Sequence, residues 1–367
     1  MKRDPLEIVT VELAGRAFSG WSQVRLQYGV EQAVRTVELI ASDYAGAMPF
    51  RPGTPCRVLA SGDLLITGYV RDVRPSHDAA LHQVALSIVS RSIDAVEASI
   101  DHRTGFAKQM RLDEIATEFD SAGVGVEVDE EFPVEPASFV NTGETLFRHI
   151  EPLARSHSAM IYDTPEGKLR IRKGMRGRHS GALAIGAGGN IVSASATLTE
   201  DRKFSPVIVR GQSSKGVGAG ALRIEARVED PSVGRYRPKI VVHESESTAG
   251  KLKERAERQA KRAAGYASTA EIEVAGWRDA GGRLFEPHFL IAVDDPRIYV
   301  NQDMAIKSVT LSQTIDQGGP GTRATLSLCD PRALNGEKST SSINPDQPES
   351  AEVWQAPEPQ GKVGVDY

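Results

Sequence analysis

Over the first 92 residues apolar side chains alternate with polar ones in short runs, and Gly, Pro or Ser separates each run from the next. A period of two dictates extended chain with one face in a core and the other in water. Val9, Val11 and Leu13 share one face, with Thr10 and Glu12 opposite; Val24, Leu26 and Tyr28 repeat the pattern, and Val37 and Leu39 follow. Cys56 to Ala60, a turn at Ser61, Gly62 and Asp63, and Leu64 to Val70 predict a hairpin, and Val84, Leu86 and Ile88 supply one more strand. About six short antiparallel strands in so short a stretch favour a small closed barrel, because closure hides the strand edges.

From Ile93 the period changes. Leu112, Ile115, Ala116 and Phe119 recur at helical spacing. A second helix is predicted to open at Asn141 with Glu144 completing a capping box, and to bury Leu146, Phe147, Ile150, Leu153 and Ala154. Met160 to Tyr162 and Lys168 to Arg172 predict a hairpin around Thr164 to Gly167. Residues 174–190 are glycine-rich and read as a connecting loop. Strand pattern returns at Ile191 to Gln212, Leu290 to Val293, Met304 to Ser312 and Thr322 to Leu328, with a basic helix near Thr248 to Ala264 between them.

The expected class is α+β, mainly β: two small antiparallel β-barrel domains with α+β domains between and inserted. The expected division is residues 1–95 for the first barrel and 96–178 for an α+β domain. Residues 179–221 and 290–332 form a discontinuous second barrel. Residues 222–289 form an inserted strand-helix-hairpin segment packing with the α+β domain. Residues 333–367, rich in Ser, Pro, Gln and Glu, are expected to be disordered, because they carry too little apolar surface to offset ordering entropy.

A chain of 367 residues exceeds one ordinary core. Its 44 Lys and Arg against 49 Asp and Glu give a net charge of -5, which provides no global attraction for nucleic acid or anionic membrane. Cys56 and Cys329 stand far apart and predict buried free thiols. The start of the chain passes straight into strand pattern without a leader-like apolar run, and no run of apolar residues is long enough to span a membrane as a helix.

Candidate chemistry is sparse. The clusters Gly186 to Gly189 and Gly216 to Gly220 lack the Lys-Ser or Lys-Thr ending of a phosphate loop and read as linkers. His149 and His157 share a helix but lie about two turns apart, too far for one metal without further ligands. Gly177 to Gly181 misplaces its serine for a nucleophile elbow. The acids Asp129, Glu130 and Glu131, and Asp294 with Asp295, read as solvated loop charge. The helix carrying Lys251, Lys253, Arg255, Arg258, Lys261 and Arg262 can grip phosphate or simply face solvent. The run Lys168 to Arg178 lacks the aromatics that stack bases and suits a protected strand edge. Trp277 and Phe285, flanking a tight turn, read as a cross-strand cluster. No catalytic, cofactor or metal residue is assigned.

Four segments together resemble the Mu-like phage tail baseplate hub proteins, over most of residues 5–332: Val11 to Trp21; Thr199 to Ser205 with Val207 to Gly211; Arg235 to Val242 with the basic helix after it; and Gly276 to Pro287. Phe285 stands where a Trp is expected, and nothing after about Ala333 has a counterpart. The resemblance implies a structural homotrimer, not an enzyme, located in the virion tail baseplate and assembled in the host cytoplasm. Two barrels per chain would make a ring that adapts a sixfold tail tube to a threefold spike around the DNA channel. The implied partners are the tube protein, the spike, other baseplate proteins and passing DNA, with no cofactor or small-molecule substrate. The alternatives are a nucleic-acid-binding β-barrel protein using helix 248–264, or a tail-associated cell-wall hydrolase.

Overall fold

The computed structural model describes residues 6–30, 32–42, 49–79, 82–201, 203–212, 223–246, 249–315, 319 and 321–334. The chain opens with β1 (Val9–Leu13), β2 (Arg16–Phe18), β3 (Gln23–Gly29), β4 (Thr36–Ser42), β5 (Pro55–Ala60), β6 (Asp63–His77) and β7 (His82–Ser90). Pairing runs β2-β1-β5-β6-β7-β4-β3, antiparallel throughout. The alternation does what its period requires, since Val11, Leu26, Val37, Leu39, Val58 and Ile88 are all sealed from solvent on one face. The predicted hairpin is β5–β6, and Ser61 and Gly62 both take positive φ, as the right-handed twist of a tight two-residue turn demands.

Next come α1 (Ile93–Glu97), β8 (Phe106–Arg111), α2 (Leu112–Glu118), β9 (Val126–Val128), β10 (Val134–Phe139), α3 (Leu146–Ser156), β11 (Met160–Asp163) and β12 (Leu169–Arg172). Leu112, Ile115, Ala116 and Phe119 close a separate core with Leu146, Ile150, Leu169 and Ile171. The start of α3 differs from the expectation. Glu144 does accept a hydrogen bond from the Asn141 amide at 2.8 Å, but this closes a turn one residue ahead of the helix, and Thr145 is the cap. This unit is joined to the first by Arg35, whose guanidinium stacks on Tyr28 and bonds Asp163, with both charged groups almost fully buried.

The chain then forms β13 (Gly177–Ala184), β14 (Ile191–Leu198), β15 (Val207–Gln212), β16 (Arg223–Val228), β17 (Lys239–Glu246), α4 (Ala249–Tyr266), β18 (Ser268–Ala275), β19 (Phe289–Asp295), β20 (Val300–Thr314) and β21 (Gly321–Cys329). The expected loop at 174–190 contains a strand, β13, parallel to β19 and bulged between Arg178 and Ala182. Its glycines hid it: Gly181 takes φ +81, and a Cβ there would stand 2.8 Å from that of Ala280. Two other pairings differ from the expectation. β15 leaves the second β-unit and forms a small sheet with β16 and β17, where Val207 and Val209 receive Leu252 and Ala256 of α4. β18, expected in the insertion, lies in the main sheet between β14 and β21. Packed chain also runs past residue 333, because Ala333 and Leu334 are buried, the backbone of Ala333 lying against Gly265 of α4. The rest of the expected tail, from 335, lies outside the described residues.

The second set of ladders, β13-β19-β20-β21-β18-β14, repeats the first, β1-β5-β6-β7-β4-β3. The lengths agree: β6 and β20 have 15 residues each, and β7 and β21 have 9 each. So does the register, which crosses one unit through Tyr69, Val89, Thr36 and Gln27, and the other through Ala305, Cys329, Thr269 and Thr197. Bulges fall at Val70 to Asp72 and at Ile306 to Ser308. Gly53 donates to the Val70 carbonyl and His288 to that of Ile306, each from a residue of positive φ. The outermost strand breaks the likeness, since β1 is antiparallel to β5 and β13 parallel to β19. Pairing of β3 with β20 makes the two units one 13-stranded sheet with a shared core. The chain is therefore mainly β, of α+β class, as expected. Among the described residues neither set of ladders returns to its first strand, so each unit is seen as a curl and the expected closure into a barrel is not observed.

A Cβ at Gly68 would lie 1.9 Å from the Val89 carbonyl oxygen, inside a ladder that cannot step aside. Gly68→Ala is expected to lower unfolding free energy by about 1–3 kcal/mol or more, while Gly234→Ala, in open space, stays neutral in the same urea titration. Arg35→Leu leaves Asp163 buried without its cation and is expected to cost about 3–5 kcal/mol; replacing both by leucine should recover much of that loss.

Candidate assembly surfaces

The junction between the repeated units is built by the segment from Trp277 to Phe285. Trp277 and Phe285 are both buried, and the Phe285 amide donates to the Trp277 carbonyl at 3.0 Å, so the expected cross-strand cluster is present. Trp277 Nε1 donates to the Ser312 carbonyl at 3.0 Å, and the Tyr28 hydroxyl donates to that of Phe285 at 2.5 Å. Arg278 reaches into the first unit, bonding Glu7 Oε1 at 2.6 Å, Asp63 at 2.5 Å and the Ala60 carbonyl at 3.2 Å. Gln313 completes the clip, accepting from the Glu7 amide and donating to the Glu7 carbonyl, both at 2.9 Å.

Asp279 shapes the turn by accepting from the amides of Ser180, Gly281 and Arg283, each at 2.9 Å. It also takes His179 Nδ1 at 2.8 Å, a pairing that resembles half of a catalytic triad. The other ring nitrogen excludes that chemistry, because His179 Nε2 accepts the Glu286 amide at 3.1 Å and has no free lone pair for a substrate proton. The pair is a brace.

The remaining candidates resolve in the same direction. His149 is buried, with Nε2 2.8 Å from Ser138 Oγ and Nδ1 3.3 Å from Glu144, whereas His157 pairs with Glu135 at 2.7 Å; the two are not brought together. No group of three or more potential metal ligands gathers among the described residues. Cys56 lies in an open groove of about 670 Å³ beside Glu12, Arg57 and Tyr69, but burial pushes its thiol up to about 12, so no thiolate forms at neutral pH. Cys329 is likewise buried and forms no disulfide.

The charged runs pair with each other. Lys168 and Arg170 bond Glu127, Arg172 bonds Asp129, Lys173 faces Glu130, Arg176 meets Glu286 at 2.6 Å, and Arg178 holds Asp303. Asp129 and Glu130 are thus partners of the basic run rather than solvated loop charge. Asp295 is also not solvated, since it is buried and accepts from the Arg297 amide at 3.0 Å. On α4, Arg258 is turned inward to the Ser156 carbonyl and Ser158 Oγ, and Arg262 stands 6.0 Å from the Tyr266 ring. The cluster Gly216 to Gly220 lies outside the described residues.

What the protein does present is strand edge and apolar surface. Among the described residues β14 pairs only with β18, and it exposes Val192 and Leu198. Among the described residues the far half of β6 pairs only with β7. The ribbon β8–β10 carries Phe106 and Phe139 in the open, with ring centroids 4.8 Å apart, and β17 exposes Ile240 and Val242. Unpaired edges and apolar patches of this kind are sites for other chains.

Repeated β-units, braced junctions and open edges define a structural assembly protein. Three family models agree: the N-terminal domain of the Mu phage baseplate assembly protein GpP-like family matches residues 8–90, the fourth domain of Mu GpP matches 248–337, and the third domain of the NMB1110-like tail proteins matches 203–260. The chain is 25% identical to the baseplate hub protein gp44 of Escherichia phage Mu over 337 residues, 87% of each chain. It is 26% identical to the 43 kDa tail protein of prophage MuSo2 from Shewanella oneidensis, with a TM-score of 0.79 over 90% of this chain and 99% of that one. It shares the fold of a tail protein from Neisseria meningitidis MC58, at 18% identity and a TM-score of 0.76 over 91% and 100% of the two chains. The chain is similar over most of its length to the Mu-like phage baseplate hub proteins, which are structural proteins of the virion tail baseplate.

The junction carries a pH dependence. Burial alone would raise the Glu7 carboxyl, but hydrogen bonds from Arg278 and Ser61 and the guanidinium charge outweigh it and hold the group below its ordinary value of 4.5. A carboxyl depressed by folding stabilises fully above its unfolded value and loses that contribution as pH falls through the folded one. Thermal unfolding followed from about pH 7 to about pH 3 should therefore show a shallower acid decline in Glu7→Gln than in the parent, from a lower starting Tm.

Proposed function

We propose that three copies of this chain form the ring of the baseplate hub, each contributing its two repeated β-units, so that six similar units surround an axis of threefold symmetry. The observation that carries this reading is the repeat itself: two curls of matching strand order, length and register, joined side by side through β3 and β20. Six such units offer a sixfold face to a hexameric tail tube. The parts that occur once per chain, the α+β unit of residues 96–178 and the β15 to α4 insertion, offer a threefold face to a spike. That mismatch of symmetries is the work of an adaptor. A net charge of -5 suits a channel wall that lets DNA pass without gripping it. The curls act as barrels once neighbouring units complete their edges, and the protein works by assembly, without cofactor or small-molecule substrate.

Light scattering behind a sizing column should give three times the 39.6 kDa chain mass, and projection images of the particle should show six lobes. A monomer that also fails to associate in the presence of tube and spike proteins is the result that removes the hub ring.

A further inference from the structure

The internal repeat predicts the contact between neighbouring copies strand by strand. Within the chain, β20 uses one edge twice: its first half pairs with β19, and beyond the bulge its second half pairs with β3. In the first unit β6 is the equivalent of β20. Its first half pairs with β5, but beyond the bulge at Val70 to Asp72 no strand among the described residues lies beside the same edge. In the second unit β14 is the equivalent of β3, and its outer edge is likewise open among the described residues. We infer that β14 of one copy pairs antiparallel with Asp72 to His77 of β6 in the next, reproducing between chains the β3–β20 ladder found within the chain. This rests on the ring reading and specifies its seam.

The register transfers residue by residue. Val309 faces Tyr28 and Ser312 faces Arg25 inside the chain. Counting from the matched bulges and ladders, Val309 corresponds to Val73 and Ser312 to Ser76, whereas Tyr28 corresponds to Leu198 and Arg25 to Ser195. The seam therefore sets Val73 against Leu198 and Ser76 against Ser195.

Two observations favour this seam. Tyr28, which has its neighbour, is 2% exposed, while its counterpart Leu198 is 56% exposed, as expected of a residue whose neighbour is another molecule. The hydrogen-bonding phase also agrees. Lys307 O and Ile315 N turn toward β3, so the main-chain groups of residues 309, 311 and 313 do too, and their counterparts in β6 point to the open edge. On β14, Thr199 N donates to Ala267 beside β18, which leaves Leu198 and Ala196 facing outward. Pro75 falls at an outward position opposite Ala196, so the seam has one N–H donor fewer there than the ladder within the chain.

Ser76 and Ser195 occupy a non-hydrogen-bonded position of the seam, where facing Cα atoms lie about 4.5 Å apart, within disulfide reach. The double variant Ser76→Cys with Ser195→Cys, oxidised in the full chain, is expected to shift from monomer to covalent trimer on a non-reducing gel and to return on reduction. Cys56 and Cys329 are buried, so background linkage is small. The variant Ser76→Cys with Ser193→Cys, two residues out of register, is expected to remain largely monomeric. Leu198→Arg, at a position already exposed in the single chain, should shift the solution mass from trimer toward monomer without lowering Tm. Equal linkage of both cysteine pairs, or none from the in-register pair in a preparation whose mass is that of a trimer, overturns the seam and leaves the ring intact. A preparation that stays monomeric at every concentration overturns the seam, and the ring then stands or falls on association with tube and spike.

Discussion

A β-strand has two hydrogen-bonding edges, and β20 serves three neighbours with them. One edge is taken by β21, and the other is shared end to end by β19 and β3. The bulge between Ile306 and Ser308 makes the sharing possible, because an extra residue lets the strand bend and re-aim its carbonyls. Asp303 to Ile306 are buried in succession, showing that both faces of the strand are covered there, and alternation resumes beyond. The common core of the two units, the bracing of the Trp277 segment and the clip from Gln313 to Glu7 all hang on where this strand lies.

Apolar contacts make the core that the two β-units share, and polar contacts are added where one unit meets another. Arg35 with Asp163 stands at one joint, and Arg278 and Gln313, both on Glu7, stand at another. The division has a physical basis. Apolar packing is strong but tolerant of sliding, while a guanidinium held by several oxygens accepts few geometries and is costly to leave unpaired once buried. Such contacts fix how one unit sits on another more than they add to the depth of the folded state.

Elements that bury one face of alternating side chains were legible from sequence, as β1, β3, β4 and β7 show, because burial imposes the period directly. β13 was not. Its contacts are made by backbone at Gly177 and Gly181 approaching Phe289 and Ala280, and glycine leaves no apolar signal. β15 was read as a strand but placed in the wrong sheet, since alternation specifies a face and not a partner. Asp129 and Glu130 looked like loop charge until β9 and β12 paired in parallel and brought the basic run beside them. The four segments of family resemblance pointed to the hub, but the repeat that explains its architecture left no trace in residue identity. Tyr69 answers to Ala305 and Gly53 to His288, positions alike only in backbone pairing and sign of φ.

Joining two such units on one polypeptide changes how they find each other. The union of β3 with β20 is unimolecular, so it forms at an effective concentration set by chain length and not by how much protein the cell holds. That contact can evolve its own side chains, Tyr28, Arg278 and Gln313 among them, without those changes being forced on the equivalent surface elsewhere. A single-unit subunit would have to satisfy every contact around a ring with one sequence. In the proposed ring the fused chain would halve the number of encounters needed and free one of its two kinds of contact to be permanent while the other stays reversible.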